Sequence, residues 1–131
     1  MNLLLDTHIL IWTLLEPELL HPRVRDAIDS PLTQIWLSPI NIWECLLLAE
    51  KGRLDLPPDP ISWLREATRT LASRQAPLNH EVAIMSRTVQ LPHQDPADRF
   101  LAATAIVYDL TLATADEKLL SGTGFSTLPN R

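Results

Sequence analysis

A single cysteine, Cys45, is all that the 131-residue chain contains. That excludes an intrachain disulfide and a cysteine-built zinc site, and it points to a reducing, cytoplasmic setting. Long apolar runs are missing too: the greasiest stretch, MNLLLDTHILIWTLL, is interrupted by Asp6 and His8. It lacks a basic leader and a small-residue cleavage site, so neither a signal peptide nor a membrane span is expected. Positive charge is scarce, and the formal net charge of −5, taken alone, argues against a nucleic-acid partner. Two features weigh the other way. A pair of divalent ions held by acidic side chains would offset most of that deficit. The basic residues are nine arginines against two lysines, and arginine suits bidentate phosphate contact. Repeats, low-complexity tracts and long linkers are absent, and residues 1–131 are expected to form one domain with a core of its own.

What the chain does have is alternation. NLLLD (2–6), QIWLS (34–38) and TLAT (111–114) read as strands, a short apolar piece near residues 77–78 as an edge strand, and FSTLP as a last one. Between them lie helical stretches: THILIWTLL, PELLHPRVRDAIDS, residues 39–52, PISWLREATRTLASR, HEVAIMSRTVQL, PADRFLAATAIVYD and ADEKLLSG. Ser38–Pro39 and Asp59–Pro60 are cap-plus-proline starts, and Gly52 is placed to end its helix. Continuously apolar strands alternating with helices predict an α/β domain, with a mostly parallel central sheet of about five strands and helices on both faces. In such open sheets ligands collect beyond the carboxyl ends of the strands. Asp6 directly follows NLLL, and Asp116 stands two residues after TLAT.

The stretch HQDPADRFLAA holds two aspartates around a proline. Asp95 suits an N-cap, Pro96 the first helical position, and Asp98 the third, where a carboxylate meets the positive end of the helix dipole. Asp98 also lies in line with Leu101, Ala102 and Ala105, a small apolar face that packs against a neighbour. A carboxylate there needs a compensating partner. Arg99 is about 100° away around the axis, so the partner is expected from elsewhere in the chain. Glu44 is similarly isolated inside INIWECLLLAEKG, the only charge between Ser38 and Glu50. Each acid has a plain explanation alone: Asp6 and Asp116 as caps, Asp98 as a dipole partner, Glu44 as half of a distant ion pair. Together, Asp6, Glu44, Asp98 and Asp116 could converge at one sheet edge. Packed like charges repel unless cations neutralise them. Hard divalent ions with oxygen ligands do this, and such a site hydrolyses phosphodiesters.

These residues carry a resemblance. LLLDTHILIW, SPINIWECLLLAEKGRL, LPHQDPADRFLAATA and LATADEKL, in that order and spacing, are similar to the four signature blocks of the PIN-domain ribonucleases, most of all the VapC-type toxins of bacterial toxin–antitoxin pairs. The resemblance spans nearly the whole chain and implies a PIN-like three-layer α/β fold. It implies an endoribonuclease dependent on Mg²⁺ or Mn²⁺, with Asp6 and Asp98 as the most direct ligands and Asp116 a further or water-mediated one. Glu44 would help to orient the attacking water, and Thr7 and Thr114 stand where the family often places a hydroxyl beside the acids. Implied partners are an RNA substrate (tRNA or ribosomal RNA), a cognate antitoxin and a second copy in a homodimer. Ala97 departs from the bulky aromatic frequent at its position, a packing change beside Asp98.

Other residues read more plainly. His8 and His93 are expected to be structural hydrogen-bonding groups, and Trp12, Trp43 and Phe100 to pack in the core rather than stack on bases. Arg53, Arg65, Arg69 and Arg74 could follow an RNA backbone, or simply form a solvated helix face. The helix over residues 96–108 has almost no polar stripe, which predicts burial on several sides and a contribution to a dimer interface. Two rival functions differ in class. One is phosphoryl transfer through a phospho-aspartate at Asp6, although LLLDTHIL lacks the second acid two residues on. The other is a non-catalytic RNA- or protein-binding module with a vestigial acidic site.

Overall fold

The computed structural model describes residues 1–131. Five strands, β1 (Asn2–Leu5), β2 (Gln34–Leu37), β3 (Arg74–Gln75), β4 (Thr111–Thr114) and β5 (Ser126–Pro129), form one sheet in the order β3-β2-β1-β4-β5. Every pairing is parallel. Seven helices connect them: α1 (Thr7–Leu15), α2 (Pro22–Asp29), α3 (Pro39–Glu50), α4 (Pro60–Thr70), α5 (His80–Thr88), α6 (Pro96–Val107) and α7 (Glu117–Leu120).

Alternating strand residues point to opposite faces, and here both faces are apolar. Leu3, Leu5, Ile35, Leu37 and Ala113 join Ile9 and Leu10 of α1, Val24 of α2, Cys45 of α3 and Leu64 of α4 in one core. Leu4 and Leu112 face the other way, onto Leu101, Ala102 and Ala105 of α6 and Leu119 of α7. The result is the expected three layers, and it explains why the strands read as unbroken hydrophobic runs. Leu4 is in register with Trp36 on one side and Leu112 on the other, which places β1 at the centre. No helix is long and apolar enough to cross a membrane.

Three local expectations need correction. The edge strand is Arg74–Gln75, not residues 77–78. Both its residues are exposed, so hydrophobicity could not mark it; it exists because α4 stops at Thr70 and the chain runs alongside β2. PELLHPRVRDAIDS is not one helix. A 3₁₀ turn over Pro17–Leu19 precedes α2, with His21 as its cap and Pro22 at its first position, since proline starts helices and breaks their interiors. Trp43 is not a core residue: it is 54% exposed, on the outward side of α3. Trp12 and Phe100 are partly buried against the two cores, as expected.

Helix α6 is buried on several sides, with Ala97, Arg99, Leu101, Ala102, Ala103, Thr104 and Ala105 all buried. That burial arises within the chain, from the sheet and from α5 packed along it. Gly52 follows α3 with φ +71°, the left-handed conformation that ends helices and favours glycine.

Candidate active site

The strand order runs outward from β1 through β2 to β3 in one direction and from β4 to β5 in the other. A crevice opens where such an order reverses, here between the carboxyl ends of β1 and β4. Asp6 leaves β1 at that point. Its backbone N–H donates to Ala113 O at 2.9 Å, tying it to the neighbouring strand. The residue is buried, only 7% exposed. Oδ1 accepts from Thr7 N–H at 2.7 Å, and Oδ2 accepts from the Thr114 hydroxyl at 2.7 Å.

The two threonines extend this network to further acids. The Thr7 hydroxyl donates to Glu44 Oε1 at 2.5 Å, while Thr114 Oγ1 accepts from the backbone N–H of Asp116 at 3.0 Å. Asp116 caps α7, its Oδ1 accepting from Lys118 N–H at 2.9 Å. A continuous hydrogen-bonded line therefore runs Glu44–Thr7–Asp6–Thr114–Asp116 across the crevice. Asp98 approaches from α6. Its backbone N–H is capped by Asp95 Oδ1 at 3.0 Å, and its Oδ2 contacts His93 Nε2 at 2.7 Å. One oxygen each of Glu44, Asp98 and Asp116 is thus anchored by the protein, and the other has no protein partner.

The acids share one electrostatic field. Burial is the main force raising the Asp6 carboxyl above its ordinary value; the threonine hydrogen bonds and His8 oppose it, and Asp116 adds to it. Burial also leads for Glu44, opposed by Thr7 and reinforced by Asp6, Asp98 and Asp95. Asp98 is pushed up to about 6, by burial first, against the His93 contact and with Asp95, Asp6 and Asp116 adding to the shift. Every pair among the four predicted acids except Glu44 with Asp116 is coupled in this way. The sequence led to the expectation that these four acids converge at one sheet edge, and in the structure each lies within electrostatic reach of at least two of the others.

The donor chemistry suits a hard cation, because every free donor in the crevice is a carboxylate oxygen and mutual repulsion favours a neutralising charge. No three acidic, histidine or cysteine side chains form a ready-made ion cage. A small divalent ion that keeps several waters and adds substrate phosphate oxygens needs no such cage.

Sequence reasoning missed three structural parts of the site. Asn41, fully buried, donates to Leu5 O at 2.9 Å and Thr7 Oγ1 at 3.2 Å while its Oδ1 accepts from Ser38 N–H at 2.7 Å. The spacing from Ser38 to Asn41 is that of a capping box, a signal present in SPIN. The partner of Asp98 is His93, five residues earlier in the loop, rather than a group from a remote segment. Arg99 is 5% exposed, and no acid pairs with it. Its guanidinium instead donates to Ser86 O at 2.7 Å, Val89 O at 2.9 Å and His93 O at 3.2 Å. Of the four arginines that could follow an RNA backbone, Arg69 pairs with Glu66 on the same helix, and the Arg74 guanidinium lies 5.8 Å from the centre of the Trp36 ring.

A parallel sheet with acids gathered at its switch point defines the class: an α/β protein with an acidic cleft. The PIN domain model matches residues 3–124, and the chain belongs to the PIN-domain family. It is 32% identical over 123 residues to Ribonuclease VapC22 of Mycobacterium tuberculosis, covering 92% of this chain and 91% of that one. Among solved structures, it superposes on VapBC2 from Rickettsia felis, bound to a DNA fragment from its promoter, with TM-score 0.72 and 15% identity, covering 98% of both chains. FitAcB from Neisseria gonorrhoeae matches with TM-score 0.66 and 28% identity, over 98% of this chain and 97% of that one.

Proposed function

We propose that this chain is an endoribonuclease dependent on Mg²⁺ or Mn²⁺, and the toxin of a toxin–antitoxin pair. The observation that carries the reading is the hydrogen-bonded line of Glu44, Asp6 and Asp116, with Asp98 facing it, each of three acids offering a free oxygen. The relative called Ribonuclease VapC22 supports RNA as substrate. The VapBC and FitAcB neighbours support a cognate antitoxin.

Asp6 and Asp98 would hold the ion most directly, with Asp116 as a further or water-mediated ligand. A divalent ion bound there supplies Lewis acidity to the phosphodiester and lowers the pKa of an attacking water. The chain's own residues prepare the site. Thr114 and the Thr7 N–H fix both oxygens of Asp6, so its remaining lone pairs have one orientation. The Thr7 hydroxyl holds Glu44 Oε1, leaving Oε2 to accept a hydrogen bond from the attacking water and so orient it. Residues 1–131 act as one nuclease domain in this reading, and tRNA or ribosomal RNA loops are the expected targets. A groove beside α3, lined by Ile42, Trp43 and Leu46 together with Thr68 and Arg74, offers an apolar seat for an amphipathic antitoxin segment. It also gives exposed Trp43 a use. A homodimer belongs to the same reading.

Asp98→Asn tests the assignment. The variant should lose RNA cleavage by at least about 100-fold with an unchanged circular-dichroism spectrum. EDTA should stop the parent protein, and Mn²⁺ should restore it. Wild-type protein that leaves RNA intact with Mn²⁺, and whose melting temperature ignores the ion, would instead be a binding module.

A further inference from the structure

Beside the four acids stands a histidine whose geometry is hard to explain by packing. His93 Nε2 lies 2.7 Å from Asp98 Oδ2, with both side chains mostly buried. The other ring nitrogen, Nδ1, is buried with no hydrogen-bond partner, the one such side-chain atom in the protein. A histidine serving only the fold would use both nitrogens or turn one towards water. Here one nitrogen is left unsatisfied while the other is aimed at a carboxylate.

The ring's support is equally specific. Arg99, next to Asp98 in the chain, reaches back with its guanidinium to the carbonyls of Ser86, Val89 and His93 itself. Those carbonyls belong to the end of α5 and the loop that carries His93. A buried guanidinium that binds only main-chain oxygens acts as a brace for backbone. One turn of α6 therefore supplies both the acid, Asp98, and the clamp that holds the acid's hydrogen-bond partner in place.

We propose that His93 is a positioning residue for Asp98, held in place by Arg99. The Nε2–H donates to Asp98 Oδ2, which fixes the carboxylate plane and leaves Oδ1, which accepts no hydrogen bond from the protein, as the oxygen presented to the crevice. This inference rests on the reading of Asp98 as an ion ligand and adds what orients it. Groups that hydrogen-bond to metal ligands from behind typically change ion affinity by about 10–100-fold when removed. Pre-orienting the acid removes the cost of ordering it at the moment the ion arrives.

The test is Mn²⁺ affinity of the full-length protein, from the electron paramagnetic resonance signal of free Mn²⁺, together with melting in the absence of the ion. His93→Gln places an amide N–H at about the reach of Nε2; His93→Asn reaches only as far as Nδ1. The Gln variant should bind Mn²⁺ within about threefold of the parent, and the Asn and Ala variants about tenfold or more weakly. Cleavage rates at limiting Mn²⁺ should follow the same order. A purely structural histidine would give Gln and Asn variants of equal ion affinity, and that result overturns the proposal even if the Ala variant fails to fold. Asp98→Asn separates the two layers. If it binds Mn²⁺ like the parent, the underlying assignment of Asp98 fails. If it loses the ion while His93→Ala keeps parental affinity, only the role of His93 fails.

Discussion

Asp98 holds its carboxyl at about 6 against an ordinary 3.8, with burial as the main cause. Between about pH 4 and pH 6 the folded chain keeps a proton that the unfolded chain has already released. The folded state binds more protons in that window, so this residue's contribution to stability falls as pH rises through it and stays low above. Asp6 and Glu44 are raised for the same principal reason and act in the same direction. Asp98→Asn removes its share of that penalty. In ion-free buffer the variant should melt above the parent at pH 7, and the gap should close towards pH 4; a gap that does not change with pH would contradict the shift. This is the stability cost that a buried, mutually repulsive cluster of acids imposes on a fold. The acids were legible in the sequence because each sat where a charge was out of place: at a strand end, in an apolar helix, on an alanine face. His93 was not legible as the partner of Asp98. Periodicity tells which way a helical residue faces, but not where an irregular loop such as residues 89–95 folds back. Arg99 was read only as pointing away from Asp98; that its destination was main-chain oxygen depends on the same loop.

At the scale of elements, α5, α6 and their connecting loop behave as one unit locked by a single side chain. Arg99→Ala would leave the carbonyls of Ser86, Val89 and His93 without their guanidinium donors. Hydrogen bonds to charged groups contribute about 1.5–3 kcal/mol each, so the variant should lose about 3 kcal/mol or more in urea denaturation. Arg99→Lys should recover only part of this, since one ammonium cannot span three diverging acceptors. A loss below about 1 kcal/mol would mean that water reaches those carbonyls and the brace is dispensable. Helix starts were the best-read elements, because Ser38–Pro39, Asp59–Pro60 and Asp95–Pro96 each write the cap and the first turn into adjacent residues. Helix ends were predicted too late: α4 stops at Thr70 and α5 at Thr88. The apolar pattern continues past both points, since residues such as Val89 enter the core from the loop. The edge strand β3, two exposed residues long, carried no hydrophobic signal at all.

For the whole molecule, the sheet order sets what the sequence could and could not announce. Unbroken strands between helices pointed to a parallel sheet with two covered faces, and the alternation of Leu3, Leu4 and Leu5 between the two cores bears that out. Which strand ends lie side by side was not written locally. Only the pairing of β1 with β4 brings Asp6 to Thr114 across 108 positions of chain. A cation in this cleft would bind the folded form alone, because the unfolded chain keeps these acids far apart. Mn²⁺ at about 100 times its dissociation constant should therefore stabilise the protein by about 2.7 kcal/mol, read as a higher melting temperature. That rise should be smaller at pH 5 than at pH 7, where fewer protons compete for the acids, and it should vanish in Asp98→Asn.

Asp6 and Asp116 each begin a helix with the same carboxylate that they turn towards the cleft. Under the proposed function, architecture and chemistry would be encoded in one letter at each position, and selection could not relax on one without touching the other. A lineage that ceased to need the reaction would still be under pressure to keep an oxygen-bearing side chain at both places. Asparagine or serine would be the tolerated substitutes, and decayed copies should keep the silhouette of the cleft long after its charge has gone.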